Sequence, residues 1–191
     1  MFTKFIDLNN DTLIKHAASL IENVKGSEQI QKIYIDVKSS IAYVPDNLLQ
    51  KASETLVTGR GNNFSKNILL YSLMKINGFD CELRYKYVID ITKAITCTNN
   101  RLIPWFYVYV NYLGREIFLD CSFDNSFQRA VGVTVLGDKI NHSIEKYFLD
   151  GQRAFKVFNK IREENEENLL KGLIRNRTTS IYSRAKVIGY V

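Results

Sequence analysis

The stretch TGRGNNFSKNILLYSLMKINGFDCELRY, residues 58 to 85, holds the side chains best placed to do chemistry. Gly59 and Gly61 give a turn its backbone freedom. A helix follows that is apolar nearly all round, with Ile68, Leu69, Leu70, Leu73, Met74 and Ile76. The N-terminus of a buried helix stabilises negative charge, so a thiol placed there ionises readily. The residue at that point is Asn63, whose amide is not a useful nucleophile at neutral pH. A phosphate cradle is excluded as well, because GRGNN lacks the Gly-Lys-Ser/Thr ending such a loop needs.

Other reactive groups are sparse. The chain has three cysteines (Cys81, Cys97 and Cys121) and two histidines (His16 and His142). No C-x-x-C pair suggests zinc or redox work, so no metal and no cofactor is expected. Odd in number and far apart, the thiols read as small buried hydrophobes in a reducing compartment. His16 falls on the polar face of a first helix and reads as a solvated residue. The formal charge is +6, with basic residues concentrated after Glu167 (Lys171, Arg175, Arg177, Arg184 and Lys186). Nucleic-acid binding through that segment is not expected, since Glu163, Glu164, Glu166 and Glu167 adjoin it.

The elements that must position these residues follow from hydrophobic period. At 191 residues and 46% hydrophobic, the chain is long enough for one sizeable core. Asn9, Asn10 and Asp11 offer caps for a helix carrying Leu13, Ile14, Ala17, Leu20, Ile21 and Val24 and ending at Gly26. Ser27 opens a second helix running to about Tyr43, with Ile30, Ile33, Tyr34, Val37 and Ile41 as its stripe; Pro45 stops it. The apolar helix from Ser65 to Asn77 belongs in the centre of the core. After Gly78 the period changes: CELRYKYVIDI, PWFYVYVNYLG and REIFLDCSFD read as strands of a mostly antiparallel sheet joined by hairpins. AVGVTVLG adds a short strand, helices return from about His142, and SIYSRAKVIGYV is a last strand or a basic tail. No run of about 18 apolar residues offers a membrane span. The N-terminus meets acidic and amide residues too early for a secretory leader, so a cytoplasmic location is expected.

Helices, one buried helix entering from a Gly-rich turn, then an antiparallel sheet: from roughly Ser27 to Asp124 this order resembles the transglutaminase-like superfamily, relatives of papain-type cysteine proteases. IQKIYIDVKSSIAYVP resembles the helix that family places before its active site. ASETLVTGRGNNFSKNILLYSLMKINGFDCELRY resembles its signature, a Gly-x-Cys turn, a Lys three residues after the Cys, a leucine-rich helix, then Gly and an Arg-bearing strand. PWFYVYVNYLGREIFLDCSFD resembles its second half, where a His opens one strand and an Asp ends the next. By this resemblance the nucleophilic Cys falls on Asn63 and the acid on Asp120. The His falls on Trp105, or on Pro104 if the hairpin differs by one residue.

Two of three triad roles are therefore missing. A thiol needs a base, and neither Trp nor Pro moves a proton. The resemblance implies an α+β, papain-like fold; the expected division is a transglutaminase-like domain over residues 1–150 and, over residues 151–191, a C-terminal helix and basic tail packed on it or extending from it. It implies no catalytic residues. Asn63 is expected to cap its helix, Trp105 to fill volume, and Asp120 to accept hydrogen bonds from backbone, from Trp105 or from an arginine. The expected function is protein or peptide binding in a cleft lined by Asn62, Asn63, Phe64, Trp105, Tyr107 and Asp120. The alternatives are a cysteine hydrolase or acyltransferase with a relocated nucleophile at Cys81, Cys97 or Cys121, and nucleic-acid binding at the basic C-terminus.

Overall fold

The computed structural model describes residues 2–45, 49–93, 95–96, 101–136, 144–158 and 165–175, with the side chains of residues 174 and 175 excepted. Cys97, His142, Glu163, Glu164, and the sequence from residue 176 onward lie outside the described residues.

Helix α1 (Asp11–Ile21) begins where Asn10 accepts hydrogen bonds from Thr12 N and Leu13 N. It ends before Val24 and Gly26, earlier than its apolar pattern suggests. Helix α2 (Ser27–Ser40) buries the expected stripe of Ile30, Ile33, Tyr34 and Val37. It stops short of Tyr43 because Ile41 turns extended, and Ala42–Tyr43 forms strand β1. β1 pairs in parallel with β2 (Arg60–Gly61), which follows the short helix α3 (Ala52–Thr58).

Helix α4 (Asn63–Ile76) is the centre of the molecule. Phe64, Ile68, Leu69, Leu70, Leu73 and Met74 are all buried in one core with α1, α2 and one face of the sheet. The sheet has the order β5-β4-β3-β9 and every pairing in it is antiparallel. β3 is Cys81–Asp90, β4 Ile103–Tyr112 and β5 Arg115–Leu119. Leu113 and Gly114, both with positive φ, make the two-residue turn whose twist matches a β-hairpin.

The expectation that helices return near His142 is corrected from Ile144 onward. After helix α5 (Asn125–Val131) and β6 (Val133–Val135), a single 3-10 turn at Ile144–Lys146 leads into β7 (Tyr147–Leu149), β8 (Gln152–Arg153) and β9 (Phe155–Phe158). The cause is local: Asp150 and Gly151 both take positive φ and fold β7 back on β8, and Phe155 to Phe158 then completes the main sheet beside β3. Residues 152–158 thus add strands β8 and β9. Among the described residues after β9, α6 (Glu166–Arg175) is helical, and its Leu169, Leu170 and Leu173 enter the main core.

A second core lies on the opposite face of the sheet. Trp105, Val88, Phe123, Phe127, Tyr147 and Phe155 form it with Tyr43. Residues alternate along β4, so Phe106, Val108 and Val110 serve the first core while Trp105 serves the second. The architecture is α+β, with a helical layer against an antiparallel sheet. Leu70→Ala is expected to lower stability by about 2–5 kcal/mol, because the fully buried side chain leaves a cavity in the main core. Leu113→Ala, at the exposed hairpin tip, is expected to change it by less than about 0.5 kcal/mol; urea denaturation of the two variants checks the contrast.

Candidate functional site

The three positions singled out by the resemblance come together. Asn63 stands in the first turn of α4, Trp105 near the start of β4, and Asp120 one residue past the end of β5. Their relative exposures are 2%, 2% and 0%, so they meet inside the protein.

Asn63 does not cap α4, as expected from the sequence. Asn62 does that, accepting from Ser65 N at 3.0 Å. The Asn63 carboxamide is used elsewhere: its Oδ1 accepts from Phe106 N at 2.8 Å, and its Nδ2 donates to Phe106 O at 2.8 Å. The reason lies in the sheet. β5 ends with Leu119 opposite Val108, so Phe106, two residues further along β4, has no partner strand on that side. A side-chain amide carries the same donor and acceptor as a peptide group and completes the ladder.

The second Nδ2 hydrogen points to Ser122 Oγ at 2.7 Å. Ser122 Oγ also receives Asn67 Nδ2 at 3.3 Å and donates to Asp120 Oδ1. Asp120 Oδ1 accepts from Ser122 N at 3.0 Å, and Oδ2 from the Trp105 indole at 2.7 Å. A continuous hydrogen-bonded line therefore runs from the Phe106 main chain through Asn63, Ser122 and Asp120 to Trp105. Burial pushes the Asp120 carboxyl above its ordinary value, and the hydrogen bonds from Ser122 and Trp105 pull it back. Tyr34 and Tyr147 donate to its main-chain oxygen at 3.1 and 3.5 Å. Ser122 and Asn67 were not singled out in the sequence. The signal was present: Asn63, Lys66 and Asn67 put polar groups on one side of a leucine-rich helix, and Ser122 stands two residues after an Asp, an ordinary turn pattern.

Lys66, the lysine of the resembled signature, is fully buried. Its ammonium donates to the Ile41 and Lys38 carbonyls at the C-terminal end of α2. Burial lowers its pKa to about 8, and the carboxylates of Asp124 and Asp120 pull it back up.

The expected cleft is corrected by this packing. Asn62, Asn63, Phe64, Trp105 and Asp120 are buried and present no surface to a ligand. Tyr107 is half-buried and lies mid-strand in β4, beside Phe118 and Lys86. Around it the charges are matched: Arg84 lies 3.6 Å over the Tyr109 ring and 2.8 Å from Glu82, and Lys86 is 2.7 Å from Glu145.

Neither described thiol is poised for attack. Cys81 and Cys121 are buried, and burial pushes both up to about 12. Cys121 contacts Asn67 Oδ1 at 3.5 Å. His16, read from sequence as solvated, is part-buried and joins α1 to α2 through Asp36 at 2.8 Å. In the basic segment, Lys171 pairs with Glu167 within α6. Among the described residues no group of three or more His, Cys, Asp or Glu is arranged to hold a metal, and no helix is long and apolar enough to cross a membrane.

No protein-family model matches the chain, and no curated protein does. Among solved structures, the chain is similar to a presumptive cysteine protease from Cytophaga hutchinsonii, with 14% identity and a TM-score of 0.48. The alignment covers 62% of this chain and 39% of that one.

The buried groups set an alkaline signature. Cys81 and Cys121, raised from 9.0 to about 12, contribute stability that is present below pH 9 and lost as pH rises to about 12, because the unfolded chain releases those protons first. Lys66, lowered from 10.5 to about 8, acts oppositely: the cost of burying its charge is relieved between pH 8 and 10.5. Urea midpoints are expected to fall above pH 9, to fall less steeply in Cys121→Ala, and to fall more steeply between pH 9 and 10.5 in Lys66→Met. Parallel pH profiles for all three proteins would contradict this assignment.

Proposed function

We propose that the chain is a non-catalytic transglutaminase-like domain, of papain-like α+β build, that works by binding a protein or peptide. The observation carrying the reading is the buried line Asn63–Ser122–Asp120–Trp105. The three positions that the resemblance assigns to nucleophile, base and acid are adjacent, yet each side chain is committed to a structural hydrogen bond.

A cysteine nucleophile works as a thiolate activated by a neighbouring base and open to its substrate. Asn63 supplies no thiol, and both its amide groups are occupied. Trp105 offers an indole N–H, a donor with no proton-accepting partner role. Asp120 orients that indole rather than an imidazole. With the chemistry replaced by structure, what such a domain keeps is its surface, and binding is the function that surface can serve. That step is inference from fold and site together, since fold alone does not confer function.

The relocated-nucleophile reading finds no support at Cys81 or Cys121, which are buried and held protonated. The full chain is expected to show no turnover of peptide or amide substrates, and Cys81 and Cys121 are expected to resist iodoacetamide at pH 8 until urea is added. Turnover that disappears when Cys81, Cys97 or Cys121 alone is changed to Ser would sink the non-catalytic reading.

A further inference from the structure

Strand β7 pairs with β8, and its ladder ends where Ala154 N donates to Tyr147 O at 2.8 Å. The residues before Tyr147 do not carry that ladder on along β9. They close into the 3-10 turn at Ile144–Lys146, which lies beside β9 without a main-chain hydrogen bond to it among the described residues. The register with β3, which Ile91 N continues onto Ala154 O at 3.1 Å, turns the main chain of Lys156 towards β3. Main-chain groups alternate in direction along an antiparallel strand, so the N–H and C=O of Phe155 and Val157 face the outer edge. No described residue pairs with them there.

A cavity of about 660 Å³ opens at this break, lined by Ile91, Glu145, Arg153, Phe155, Lys156 and Val157. Ligand pockets typically measure roughly 300–1,000 Å³, so the space suits a bound group. Its apolar lining is Ile91, which is 49% exposed, with the half-buried Val157 and the buried Phe155. Its charged lining is lopsided. Arg153 and Lys156 are exposed, and neither makes an ion pair among the described residues. Glu145, the acid of the lining, is held by Lys86 at 2.7 Å. The uncompensated charge at the cavity is therefore positive.

We propose that this cavity takes an extended, acidic peptide segment of a partner protein. An apolar side chain of the segment sits against Ile91, Phe155 and Val157, its carboxylates meet Arg153 and Lys156, and its peptide groups meet the outward main chain of β9. The inference rests on the reading of the chain as a protein- or peptide-binding domain and names where the peptide sits. Three features choose this occupant. Outward-facing strand groups are matched by another extended main chain, with pockets beside the edge reading its side chains. The two cations call for carboxylates, since complementary charge steers encounter and fixes register. The apolar wall beside only two cations suits a peptide better than a phosphate backbone, whose affinity is built from many phosphate contacts.

The test uses the full chain and two pools of fluorescein-labelled hexapeptides. Both pools carry Leu, Ile, Val or Phe at the two central positions; the outer four are Glu or Asp in one pool and Gln or Asn in the other. Fluorescence anisotropy at low salt is expected to show the acidic pool binding at least about tenfold tighter, with the gap narrowing as salt screens the charges. The Arg153→Glu/Lys156→Glu variant changes two exposed side chains, so it is expected to keep the wild-type thermal transition while losing at least about tenfold in affinity for the acidic pool. Ile91→Ser is expected to weaken both pools. The ring of Phe155 lies 5.3 Å from that of Trp105, the sole tryptophan of the chain, so unlabelled acidic peptide is expected to shift the intrinsic fluorescence. Equal affinity for the two pools, or acidic-pool affinity unchanged in the double variant, would overturn the proposal. Binding of phosphatidylserine vesicles or of a single-stranded oligonucleotide, lost in the double variant and without peptide binding, would overturn it by giving the surface to lipid or nucleic acid. Peptide binding that all these variants leave untouched would remove this cavity and keep a binding domain. Cleavage of the peptides, read by mass spectrometry on the same mixtures, would instead sink the non-catalytic reading.

Discussion

The contact between the Asn63 carboxamide and the Phe106 main chain is the constraint on which the rest of the structure depends. Phe106 sits where the sheet runs out, beyond the end of β5, and its N–H and C=O are buried. Left without partners, each would cost about 1–3 kcal/mol. A side chain reaching them from α4 must both accept and donate in nearly one plane. Asn does so from the first helical turn, with two 2.8 Å hydrogen bonds. This ties the central helix to β4, and Leu69, Leu70 and Leu73 share the main core with Val108 and Val110.

The same side chain links the two cores. Its remaining hydrogen goes to Ser122, and from there the line passes through Asp120 to Trp105 on the other face of the sheet. A buried carboxylate is costly unless it is hydrogen-bonded. Asp120 meets that requirement with a main-chain N–H, a hydroxyl and an indole. Each member of the line makes sense only with the others in place, so this line is specific as well as hydrogen-bonded. The donors along it are engaged: the Asn63 Nδ2 hydrogens on Phe106 O and Ser122 Oγ, and the Trp105 indole on Asp120.

Much of this was legible in the residues. The all-round apolarity of α4 announced a central helix, and the alternation of β3, β4 and β5 announced an antiparallel sheet. The likeness of GRGNNFSK to a nucleophile turn brought together three positions that are indeed neighbours. The indole to Asp120 hydrogen bond could be foreseen because a buried carboxylate needs donors and Trp has one. What could not be read was burial at the level of the site. A cleft and a filled interior differ at Trp105 and Asp120 by the placement of Tyr147 and Phe155, which are distant in sequence and whose side chains carry no local mark of where they dock. The region after residue 144 was misread for another reason. Its Asp150–Gly151 turn is a strong hairpin signal, but the strands flanking it are two or three residues long and make no visible alternation. The cap of α4 was misplaced by one residue because Asn62 and Asn63 have equal capping propensity, and only the unpaired edge of Phe106 decides between them.

The central claim is that Asn63 is a buried structural bridge between the first turn of α4 and the Phe106 main chain. Hydrogen exchange of its side-chain amide, followed by NMR in the full chain, tests this most directly. Protection of the Asn63 Nδ2 hydrogens and of the Phe106 N–H at a common level, close to that of the α4 interior, is what the account predicts. Exchange of the Asn63 amide at the rate of an exposed side chain, while α4 stays protected, would contradict it and return the position to solvent and to chemistry.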